Sequence, residues 1–390
     1  MAGTQKEVKA AAAHVCGTRM VRGALRLIRR LHPVGTERDR AGNRQLFYDQ
    51  YVSLLLLYFF TPSITSLRAL QQTTNWESVR RKLGIPRTSL GSLSEAARVF
   101  DATHLRQAVQ ELAAEALPLK TSPQTEVLRG LTAVDGSIFQ ACSRMVWALW
   151  QDDQHRAVKI HLHFSVLEGV PCDALITPGR KHDSEMLEPM LQAGRLYVLD
   201  RGYADYELLG RIVAAGSSLV ARIKNQSAYI VQEERPLAAV ARQAGVVRDV
   251  IISRLGTRTR PDQFQRPLRL VIVNVIDRAG DPKTLTLLTD RLDLDAELVA
   301  QAYRHRWTIE LFFRWLKSVL GCRHLIAENP NGVLLQMYAA LIVSLLIVLR
   351  TGRQPTKRMF ELIQFSLLGW VSDAEFDAGL SALSKVRVKS

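Results

Sequence analysis

The stretch RLYVLDRGYADYELLGRIVAAG, residues 195–216, decides the fold class because it joins an apolar strand to a helix. The apolar run before Asp200 is short and β-rich, which predicts a strand that ends near this residue. The segment that follows has the spacing of a helix and closes at Gly216. SSLVARIKN, residues 217–225, predicts the next strand. A strand, a helix and a strand in succession are typical of an α/β layer.

Three β-rich segments and a helix precede this unit. The segments are VLRGLTAVDGSIF (127–139), HRAVKIHLHFSVLEG (155–169) and PCDALITPG (171–179). Each is short and bounded by turn residues, as expected of a strand. DSEMLEPMLQAG at 183–194 predicts a helix with an Asp cap and a Gly stop. Residues 226–289 predict a further antiparallel set of strands, so the fold class is mixed α/β.

Helical patterns dominate both ends of the chain. Residues 1–125 are mainly helical by pattern, with a break at Pro62. A long helix is predicted from about 295 to 320. The stretch VLLQMYAALIVSLLIVLR at 333–350 approaches the length of a membrane span, about 20 residues. Its polar residues, and the lack of a second such stretch in the sequence, favour a buried helix and predict no membrane association.

The chain is strongly basic. It has 390 residues and a formal net charge of +15, and 47% of its residues are hydrophobic. This composition is that of a globular protein and excludes a disordered chain. The excess of lysine and arginine favours a polyanionic partner, which is more often nucleic acid than an acidic membrane surface.

The four cysteines lie far apart in the sequence and form no CxxC pair. This spacing is not that of a zinc ribbon or finger, and it suits a reducing compartment. Residues 1–31 lack the continuous apolar core of a secretion signal. Because they are rich in arginine and poor in acids, two interpretations remain: an organellar transit peptide, or a basic helix that contacts DNA.

The segment YRHRWTIELFFRWLK at 303–317 holds one acid among four Lys and Arg side chains and a histidine. At about 100° per residue, one stripe of a helix carries the polar residues Tyr303, Arg306, Glu310, Arg314 and Lys317. The apolar stripe beside it comprises Ile309, Phe313, Leu316 and Leu320. Arginines four residues to either side of the acid favour plain surface ion pairs. The other interpretation is an acid that binds metal and bases that bind a polyanion.

Two aspartates change this balance. Asp135 in LTAVDGSIF and Asp200 in LYVLDRGY each follow an apolar strand. One Asp-Gly at a strand end is a common hairpin turn. Two such aspartates in one α/β layer, together with Glu310, indicate a shared metal site, because an ionised acid is costly beside a core. Mg²⁺ prefers oxygen ligands, and two hard cations about 4 Å apart support cleavage and transfer of phosphodiesters.

These residues resemble a known family. The spacing Y-x2-R-x3-E-x6-K is met by Tyr303, Arg306, Glu310 and Lys317. It resembles the signature of cut-and-paste transposases of the insertion sequence four family, within the DDE superfamily. Two further segments resemble the blocks around that family's first and second aspartates: AVDGSIF at 133–139, and TPGRKHDSEML with YVLDRGY within 177–203. The matches run from about 130 to 345.

The resemblance implies an RNase H-like catalytic core interrupted by a β-rich insertion, with helical N- and C-terminal regions. Asp135 would lie on the first strand of this core, Asp200 just after its fourth strand and Glu310 on a late helix. The implied domains are a helical DNA-binding region at 1–125, the first part of the core at 126–225, the β-rich insertion at 226–289, the part of the core with the catalytic helix at 290–325 and a C-terminal helical region at 326–390.

The resemblance also implies a function. The protein would bind the terminal inverted repeats of its insertion sequence, cleave at the ends and transfer 3′ ends to target DNA by two-metal phosphoryl transfer. Asp135, Asp200 and Glu310 would be catalytic and bind Mg²⁺, for which Mn²⁺ can substitute. The expected DNA contacts are Tyr303, Arg306, Arg314, Lys317, Arg201 and Tyr203. A homodimer on double-stranded DNA, in the bacterial cytoplasm and associated with the nucleoid, is expected as well.

Some relatives form a DNA hairpin and hold a flipped base with a tryptophan of the insertion. This chain has no tryptophan between Trp150 and Trp307. Tyr229 or Phe264 is available for stacking instead. The hairpin route therefore stays open.

Other polar residues have plainer explanations. His161 and His163 share one face of a strand, where a solvent-facing strand is favoured over a metal pair. Asp152 and Asp153 indicate a turn. Asp183 is either a helix N-cap or a support for the metal ligands.

Two alternative functions use the same features. A transposase-derived regulator would bind DNA without catalysis, although all three acids are present. An RNase H-like nuclease would cleave DNA without joining strands. Short inverted repeats beside the gene and a joining assay discriminate between these possibilities.

Overall fold

The structure is a computed structural model that describes residues 28–35, 44–119, 122–152, 155–256, 264, 266–276, 280–322 and 324–385. Two of the predictions fall outside this part of the chain. They are the basic helix within 1–31, apart from its last few residues, and the predicted turn residue Asp153.

The described residues form one mixed sheet of nine strands. The strands are β1 (Leu131–Gln140), β2 (Ala157–Ser165), β3 (Val170–Pro178), β4 (Leu196–Leu199), β5 (Ser218–Ile223), β6 (Tyr229–Glu234), β7 (Val246–Leu255), β8 (Leu268–Ile276) and β9 (Pro282–Thr289). Their order across the sheet is β3-β2-β1-β4-β5-β9-β8-β7-β6. β4 pairs in parallel with β1 and with β5. The pairs β2–β3, β5–β9, β9–β8, β8–β7 and β7–β6 are antiparallel. The predicted mixed α/β arrangement is confirmed.

Helices precede, interrupt and follow the strands in the sequence. They are α1 (Tyr48–Phe60), α2 (Leu67–Thr73), α3 (Glu77–Leu83), α4 (Leu90–Val99), α5 (Thr103–Ala114), α6 (Pro123–Val127), α7 (Asp183–Leu187), α8 (Tyr206–Ala214), α9 (Ala239–Gln243), α10 (Ala296–His305), α11 (Trp307–Ser318), α12 (Pro330–Thr351), α13 (Lys357–Leu367) and α14 (Asp373–Lys385). Short 3₁₀ turns occupy Glu188–Met190 and Arg201–Tyr203. The break predicted at Pro62 separates α1 from α2.

The chain divides into two compact units, of which the sheet unit comprises residues 117–138 and 158–313. Its core combines strand residues with helix α8 and includes Tyr197, Leu219 and Ile212. β4 is buried along its whole length, as expected of a parallel strand with both faces covered. Helix α10 packs against β4, β5, β7, β8 and β9, so the sheet fixes the position of the segment that follows.

The helical unit comprises the described residues up to 116, those from 139 to 157 and those from 314 onward. α12 packs against α1, α4 and α5 within this unit. Of the described helices, α12 is the one long and apolar enough to cross a membrane by length and composition, and 89% of its apolar window is buried. The prediction of a buried helix at 333–350 is confirmed.

The single helix predicted from about 295 to 320 is wrong, because α10 and α11 are separate helices that meet at Arg306. The hydrogen bonds tighten there to a spacing of three residues. The Arg306 N–H donates to the Tyr303 carbonyl at 3.1 Å, and the Ile309 N–H donates to the Arg306 carbonyl at 3.3 Å. The Thr308 hydroxyl also donates to the His305 carbonyl at 2.8 Å, a bond that tends to bend helices.

The hairpin interpretation of Asp135-Gly136 is also wrong. β1 continues through both residues to Gln140, so Asp135 lies within a strand rather than in a turn. Asp135 and Gly136 interrupt the apolar residues of β1, but both remain within the strand. Burial decreases after Val134, which places the acid where β1 emerges from the core.

A buried ion pair fixes the segment that leads into α10. Arg269 on β8 and Asp249 on β7 are 1% and 4% exposed, and the two nitrogens Nε and Nη2 of Arg269 donate to the two carboxylate oxygens at 2.7 Å each. Nη1 of Arg269 donates to the carbonyls of Arg291 and Leu294, just before α10 begins. The bidentate geometry satisfies both charges, as a buried pair requires.

We predict that Asp249→Ala lowers the free energy of unfolding by about 3 to 5 kcal/mol, because it leaves the Arg269 guanidinium buried without its counter-charge. Asp249→Leu combined with Arg269→Met should recover most of this loss, since the double variant buries no charge. Urea unfolding of the purified chain measures both.

Asp293→Ala is the matched control. Asp293 also pairs with an arginine at 2.7 Å, but its side chain is 64% exposed. We expect its removal to cost only about 0.5 kcal/mol. Equal losses for Asp249→Ala and Asp293→Ala would show that the buried pair does not stabilise the fold as described.

Candidate functional site

Two aspartates lie side by side where neighbouring parallel strands emerge from the core. The register pairs Ala133 of β1 with Val198 of β4. β4 ends at Leu199 and Asp200 follows it, so the same register, continued past the strand, places Asp200 next to Asp135. The charges of the two acids interact, since Asp200 raises the pKa of Asp135. The sheet itself therefore brings together two carboxylates that are 65 positions apart in the sequence.

The second aspartate also organises the turn after β4. Asp200 caps the 3₁₀ turn Arg201–Tyr203, and its Oδ1 accepts from the Gly202 N–H at 2.6 Å. The first aspartate accepts from a backbone N–H in the same way, since Oδ1 of Asp135 is 2.8 Å from the Gly136 nitrogen. In each carboxylate, Oδ1 accepts this hydrogen bond and Oδ2 is available to a ligand.

The electrostatic environment of Asp135 disfavours its charge. Burial raises the pKa of its carboxyl from the ordinary 3.8 to about 6, against a lowering by the Gly136 N–H and by Arg306. The negative charges of Asp200 and Asp183 raise the pKa further. A half-buried acid beside two other acids is the arrangement that a bound cation relieves.

The junction of α10 and α11 supplies the opposite charge. Nη2 of Arg306 donates to Oε1 of Glu310 at 2.7 Å, with side-chain exposures of 17% and 29%. Burial would lower the pKa of Arg306, but Tyr303, Glu310 and Asp135 together raise it. Its guanidinium carbon is 6.0 Å from the centre of the Tyr303 ring. Arg306 therefore hydrogen-bonds to Glu310 and, through its charge, lowers the pKa of Asp135.

Arg222 is a site residue that the sequence patterns did not single out. The register pairs Leu199 with Ala221, so Arg222 on β5 lies next to Asp200. Burial raises the pKa of Tyr303. The charges of Arg306 and Arg222 act in the opposite direction, and Arg222 also forms a hydrogen bond with Tyr303. Nε of Arg222 is buried and has no hydrogen-bond partner. An arginine in the otherwise apolar strand SLVARI is the sequence signal that could have revealed it.

A second group lies beside Asp135 and contains Asp183, one of whose two predicted roles was to support the metal ligands. The carboxylate of Asp183 accepts from Nζ of Lys159 at 2.6 Å and from Nδ1 of His161 at 2.7 Å. Although burial would raise it, the pKa of Asp183 is lowered by these two partners. A Cβ added at Gly136 would lie 1.9 Å from Oδ1 of Asp183, so the carboxylate rests directly on the β1 backbone.

Two predictions about these polar residues are wrong. His161 and His163 do not face solvent, since they are 3% and 1% exposed. β2 has neighbours on both edges and is covered on both faces, so its polar residues are buried as well. Asp183 is not the N-cap of α7, because His182 holds that position and the Asp183 side chain turns to Lys159 and His161 instead.

The remaining predicted DNA contacts differ in exposure. Arg201 and Arg314 are exposed. Lys317 is half-buried, with its Nζ 4.9 Å from the centre of the Phe139 ring. Tyr203 is 3% exposed and packs in the core of the sheet unit, which does not agree with a ring that faces DNA.

Of the three predicted metal ligands, Asp135 and Asp200 lie close enough for their charges to interact. Among the residues that the structure describes, no three His, Cys, Asp or Glu side chains are grouped so that they could hold a metal ion. Asp135 and Asp200 are neighbours across the sheet, whereas Glu310 is bonded to Arg306. The described site thus has two neighbouring acids and a third acid held by an arginine.

Comparison with known proteins gives the family context of this site. The sequence model of the family described as "Transposase DDE domain" matches residues 128–346, somewhat over half of the chain. This segment includes Asp135, Asp200 and Glu310.

Several named proteins are similar in sequence. A protein of Geobacillus stearothermophilus named as a probable transposase for insertion sequence element IS5377 is 28% identical over 53% of this chain and 52% of its own length. A Sinorhizobium fredii protein named as transposase y4zB is 30% identical over 49% of this chain and 53% of its own. The chain thus matches about half the length of these two relatives.

Two more distant similarities span more of the chain. A Synechocystis protein named as a transposase for insertion sequence element IS4SA is 26% identical over 77% of this chain and 81% of its own length. The cryo-EM structure of the piggyBac transposase synaptic complex with hairpin DNA covers 94% of this chain and 80% of that chain, with 11% identity and a TM-score of 0.40.

We predict that Gly136→Ala destabilises the protein by about 1 to 3 kcal/mol, because the new methyl group would displace the Asp183 carboxylate. In an Asp183→Ala background the same substitution should cost less than half as much, since the closest clash is gone and the flexible Lys159 side chain, whose Cε would be 2.8 Å away, no longer has the carboxylate that holds it. A double-mutant cycle from urea unfolding measures the coupling. Gly91→Ala, whose Cβ would meet its nearest neighbour at 3.7 Å, is the control and should not be destabilising. Additive costs at Gly136 and Asp183 would contradict the contact.

We also predict that Asp135→Asn stabilises the protein at pH 8 in EDTA by about 1 to 3 kcal/mol, taking about 1.36 kcal/mol per pKa unit as an upper limit. The ordinary pKa of 3.8 rises to about 6 in the folded chain, so folding penalises the ionised carboxyl. The penalty is complete above about pH 6 and absent below about pH 4. The stabilisation should therefore shrink as the pH falls through this window.

Thermal unfolding of both proteins between pH 4 and pH 8 measures this dependence. Asp377→Asn, at an exposed position, is the control and should change stability by less than about 0.5 kcal/mol at every pH. A loss of stability in Asp135→Asn at pH 8 would contradict the electrostatic description of the site.

Proposed function

The chain belongs to the transposase DDE domain family, and we propose that it is a DNA transposase that binds the terminal inverted repeats of its insertion sequence, cleaves at the ends and transfers 3′ ends to target DNA. The observation that carries this proposal is the pair Asp135 and Asp200, set side by side by two parallel strands and faced by Arg306 and its partner Glu310. All four residues lie within the segment that matches the family.

The acids fit divalent metal ions by their chemistry. Carboxylate oxygens are the ligands that Mg²⁺ and Mn²⁺ prefer, and Asp135 sits where burial and two nearby acids raise its pKa. Asp135, Asp200 and Glu310 would hold the ions in this proposal. When bound, a pair of such ions supports in-line phosphoryl transfer by relieving charge on the attacking and leaving oxygens. In this proposal Glu310 exchanges its partner Arg306 for a metal ion.

The bases around the acids have a separate task in the proposal. Arg306 is paired with Glu310 in the free protein, and once that acid turns away its guanidinium can donate two hydrogen bonds to a phosphate. The Tyr303 hydroxyl, held by Arg222, can donate to the same phosphate. Arg314 and Lys317 lie about one and two turns beyond Glu310 on α11 and extend the basic stripe. Exposed Arg201 follows Asp200 directly.

The topology supports an RNase H-like interpretation of the core, as the resemblance implies. Asp135 is on the first strand, Asp200 follows the fourth strand, and Glu310 is on a late helix. We propose that β6 to β9, which all fall between residues 226 and 289, are the β-rich insertion. They continue the sheet from β5 in antiparallel pairs. The further assignment to the insertion sequence four family rests on the spacing of Tyr303, Arg306, Glu310 and Lys317.

The proposal has consequences for the domains and partners. The helical region 1–125 would bind the transposon ends, and the helices within 326–390 would help two protomers meet on double-stranded DNA. The protein would act in the bacterial cytoplasm, associated with the nucleoid. Binding to DNA would weaken steeply with salt, because each phosphate contact releases counterions.

We predict that Asp135→Asn, Asp200→Asn and Glu310→Gln each lower strand cleavage by about a thousandfold or more while DNA binding is retained, because the site loses transition-state stabilisation rather than affinity. The substrate is duplex DNA that ends in the inverted repeats beside the gene, with Mg²⁺ or Mn²⁺. Gel analysis separates cleaved from joined products.

Glu207→Gln is the matched control. Glu207 is an exposed acid on α8 that pairs with Arg211 at 2.8 Å, and its removal should leave cleavage unchanged. Full activity in all three variants of the proposed site would contradict the assignment. Cleavage without joining would point to an RNase H-like nuclease, and binding without cleavage by the unsubstituted protein would point to a regulator.

A further inference from the structure

Three polar side chains meet against the backbone of β1, one residue beyond Asp135. They are Asp183, the first residue of α7, and Lys159 and His161 of the neighbouring strand β2. Lys159 and His161 are two residues apart and therefore point to the same face of the sheet. We refer to these three residues as the Asp183 cluster, and their side chains are 29%, 13% and 3% exposed.

Both oxygens of the Asp183 carboxylate have a fixed partner. Oδ1 accepts from Nδ1 of His161 at 2.7 Å, and Oδ2 accepts from Nζ of Lys159 at 2.6 Å. The partners are held in turn by β3 and the loop after it. Nζ of Lys159 also donates to the Lys181 carbonyl at 3.2 Å, and Nε2 of His161 is 2.9 Å from the Thr177 hydroxyl. The position of the carboxylate is therefore set by two side chains that are themselves fixed.

The cluster contacts the residue that orients Asp135. A Cβ built on Gly136 would be 1.9 Å from Oδ1 of Asp183 and 2.8 Å from Cε of Lys159, so the carboxylate and the lysine stem both lie against this glycine. The Gly136 N–H donates to Oδ1 of Asp135 at 2.8 Å. The same residue is thus packed against the cluster on one side and bonded to the Asp135 carboxylate on the other.

We propose that Asp183, held by Lys159 and His161, is a positioning residue for the metal site. The cluster holds the β1 backbone at Gly136, and through the N–H of this glycine it sets the direction of the Asp135 carboxylate. None of the three side chains binds the metal ion itself. The inference rests on the proposed function in one respect, that Asp135 is a metal ligand.

An effect of charge alone makes different predictions. After burial, the negative charge of Asp183 is among the causes that raise the pKa of Asp135, so the two carboxylates interact. If only charge mattered, removing the charge of Asp183 would weaken the binding of a cation and removing the charge of Lys159 would strengthen it. Positioning predicts that the loss of Lys159 weakens binding, and that an uncharged side chain with the shape of Asp183 preserves it.

Asparagine can replace Asp183 in the cluster without its charge. The amide oxygen accepts from Lys159, and the amide nitrogen donates to Nδ1 of His161 when the ring proton is on Nε2. Nε2 then donates to the Thr177 hydroxyl oxygen, which is 3.1 Å from the Pro178 carbonyl to which it donates. Lys159→Met keeps most of the lysine stem and removes Nζ. These two variants separate position from charge.

Electron paramagnetic resonance of free Mn²⁺, titrated with the full chain, measures metal affinity without catalysis. Asp183→Ala should weaken Mn²⁺ binding by about 10- to 100-fold and Lys159→Met by about tenfold, as for other groups that orient a metal ligand. Asp183→Asn should change it by no more than about threefold, below that range. Lys357→Met is the matched control, since it removes a lysine that pairs with Glu361 at 3.7 Å elsewhere, and it should leave the affinity unchanged.

Tighter Mn²⁺ binding by Lys159→Met, or equal losses in Asp183→Asn and Asp183→Ala, would overturn the positioning role. Asp135→Asn separates this inference from the proposed function. Unchanged Mn²⁺ binding in Asp135→Asn would contradict the metal site itself. A loss of binding in Asp135→Asn with no change in Lys159→Met and Asp183→Ala would contradict the positioning role alone.

Amide hydrogen exchange tests the same contact without metal. In protein with isotopically labelled glycine, the Gly136 amide should exchange at least about tenfold faster in Asp183→Ala than in the unsubstituted chain, because the backbone is no longer held there. Asp183→Asn should leave this rate unchanged. The Gly84 amide, which donates to the Arg80 carbonyl in the helical unit, is the control and should keep its rate in both variants. An unchanged Gly136 rate in Asp183→Ala would overturn the proposal whether or not Mn²⁺ binds.

Discussion

The parallel pairing of β4 with β1 and β5 is the constraint on which the site depends. Continued past the end of β4 at Leu199, these two registers place Asp200 between Asp135 of β1 and Arg222 of β5. Carboxyl ends of parallel strands are a recurrent place for ligands in α/β sheets, because the strands end together and the chain must turn there. A shift of one residue in either pairing would send these side chains to the opposite face.

This arrangement concentrates like charges, and the rest of the site compensates them. Asp135 lies beside Asp200 and Asp183, and its pKa of about 6 reflects burial first and these acids after it. Separate elements bring the opposite charges: Lys159 from β2, Arg222 from β5 and Arg306 from the junction of α10 and α11. The third acid, Glu310, is paired with Arg306. In the proposed reaction this ion pair would open: Glu310 would bind the cation, and Arg306 would bind a phosphate of the DNA.

The sequence predicted the order of strands and helices well because each element is short, regular and bounded by turn residues. It also predicted the buried helix at 333–350, since hydropathy alone separates that stretch from the rest. It missed features that depend on pairing between distant strands. Three such features arise from neighbours across the sheet. They are the burial of His161, the contact of the Asp183 carboxylate with Gly136 and the proximity of Arg222 to Asp200. The break at Arg306 lies beside a hydrogen bond from the Thr308 hydroxyl to the His305 carbonyl that periodicity does not show.

The central claim is that Asp135 and Asp200 bind the same metal centre, with Glu310 as a third ligand. Anomalous diffraction from crystals of the protein with duplex end DNA and Mn²⁺ tests it most directly. We expect a manganese peak at about 2.1 to 2.3 Å from a carboxylate oxygen of both Asp135 and Asp200, with Glu310 detached from Arg306 and turned to a metal ion. Manganese bound elsewhere, with Glu310 still paired to Arg306 in the DNA complex, would contradict it.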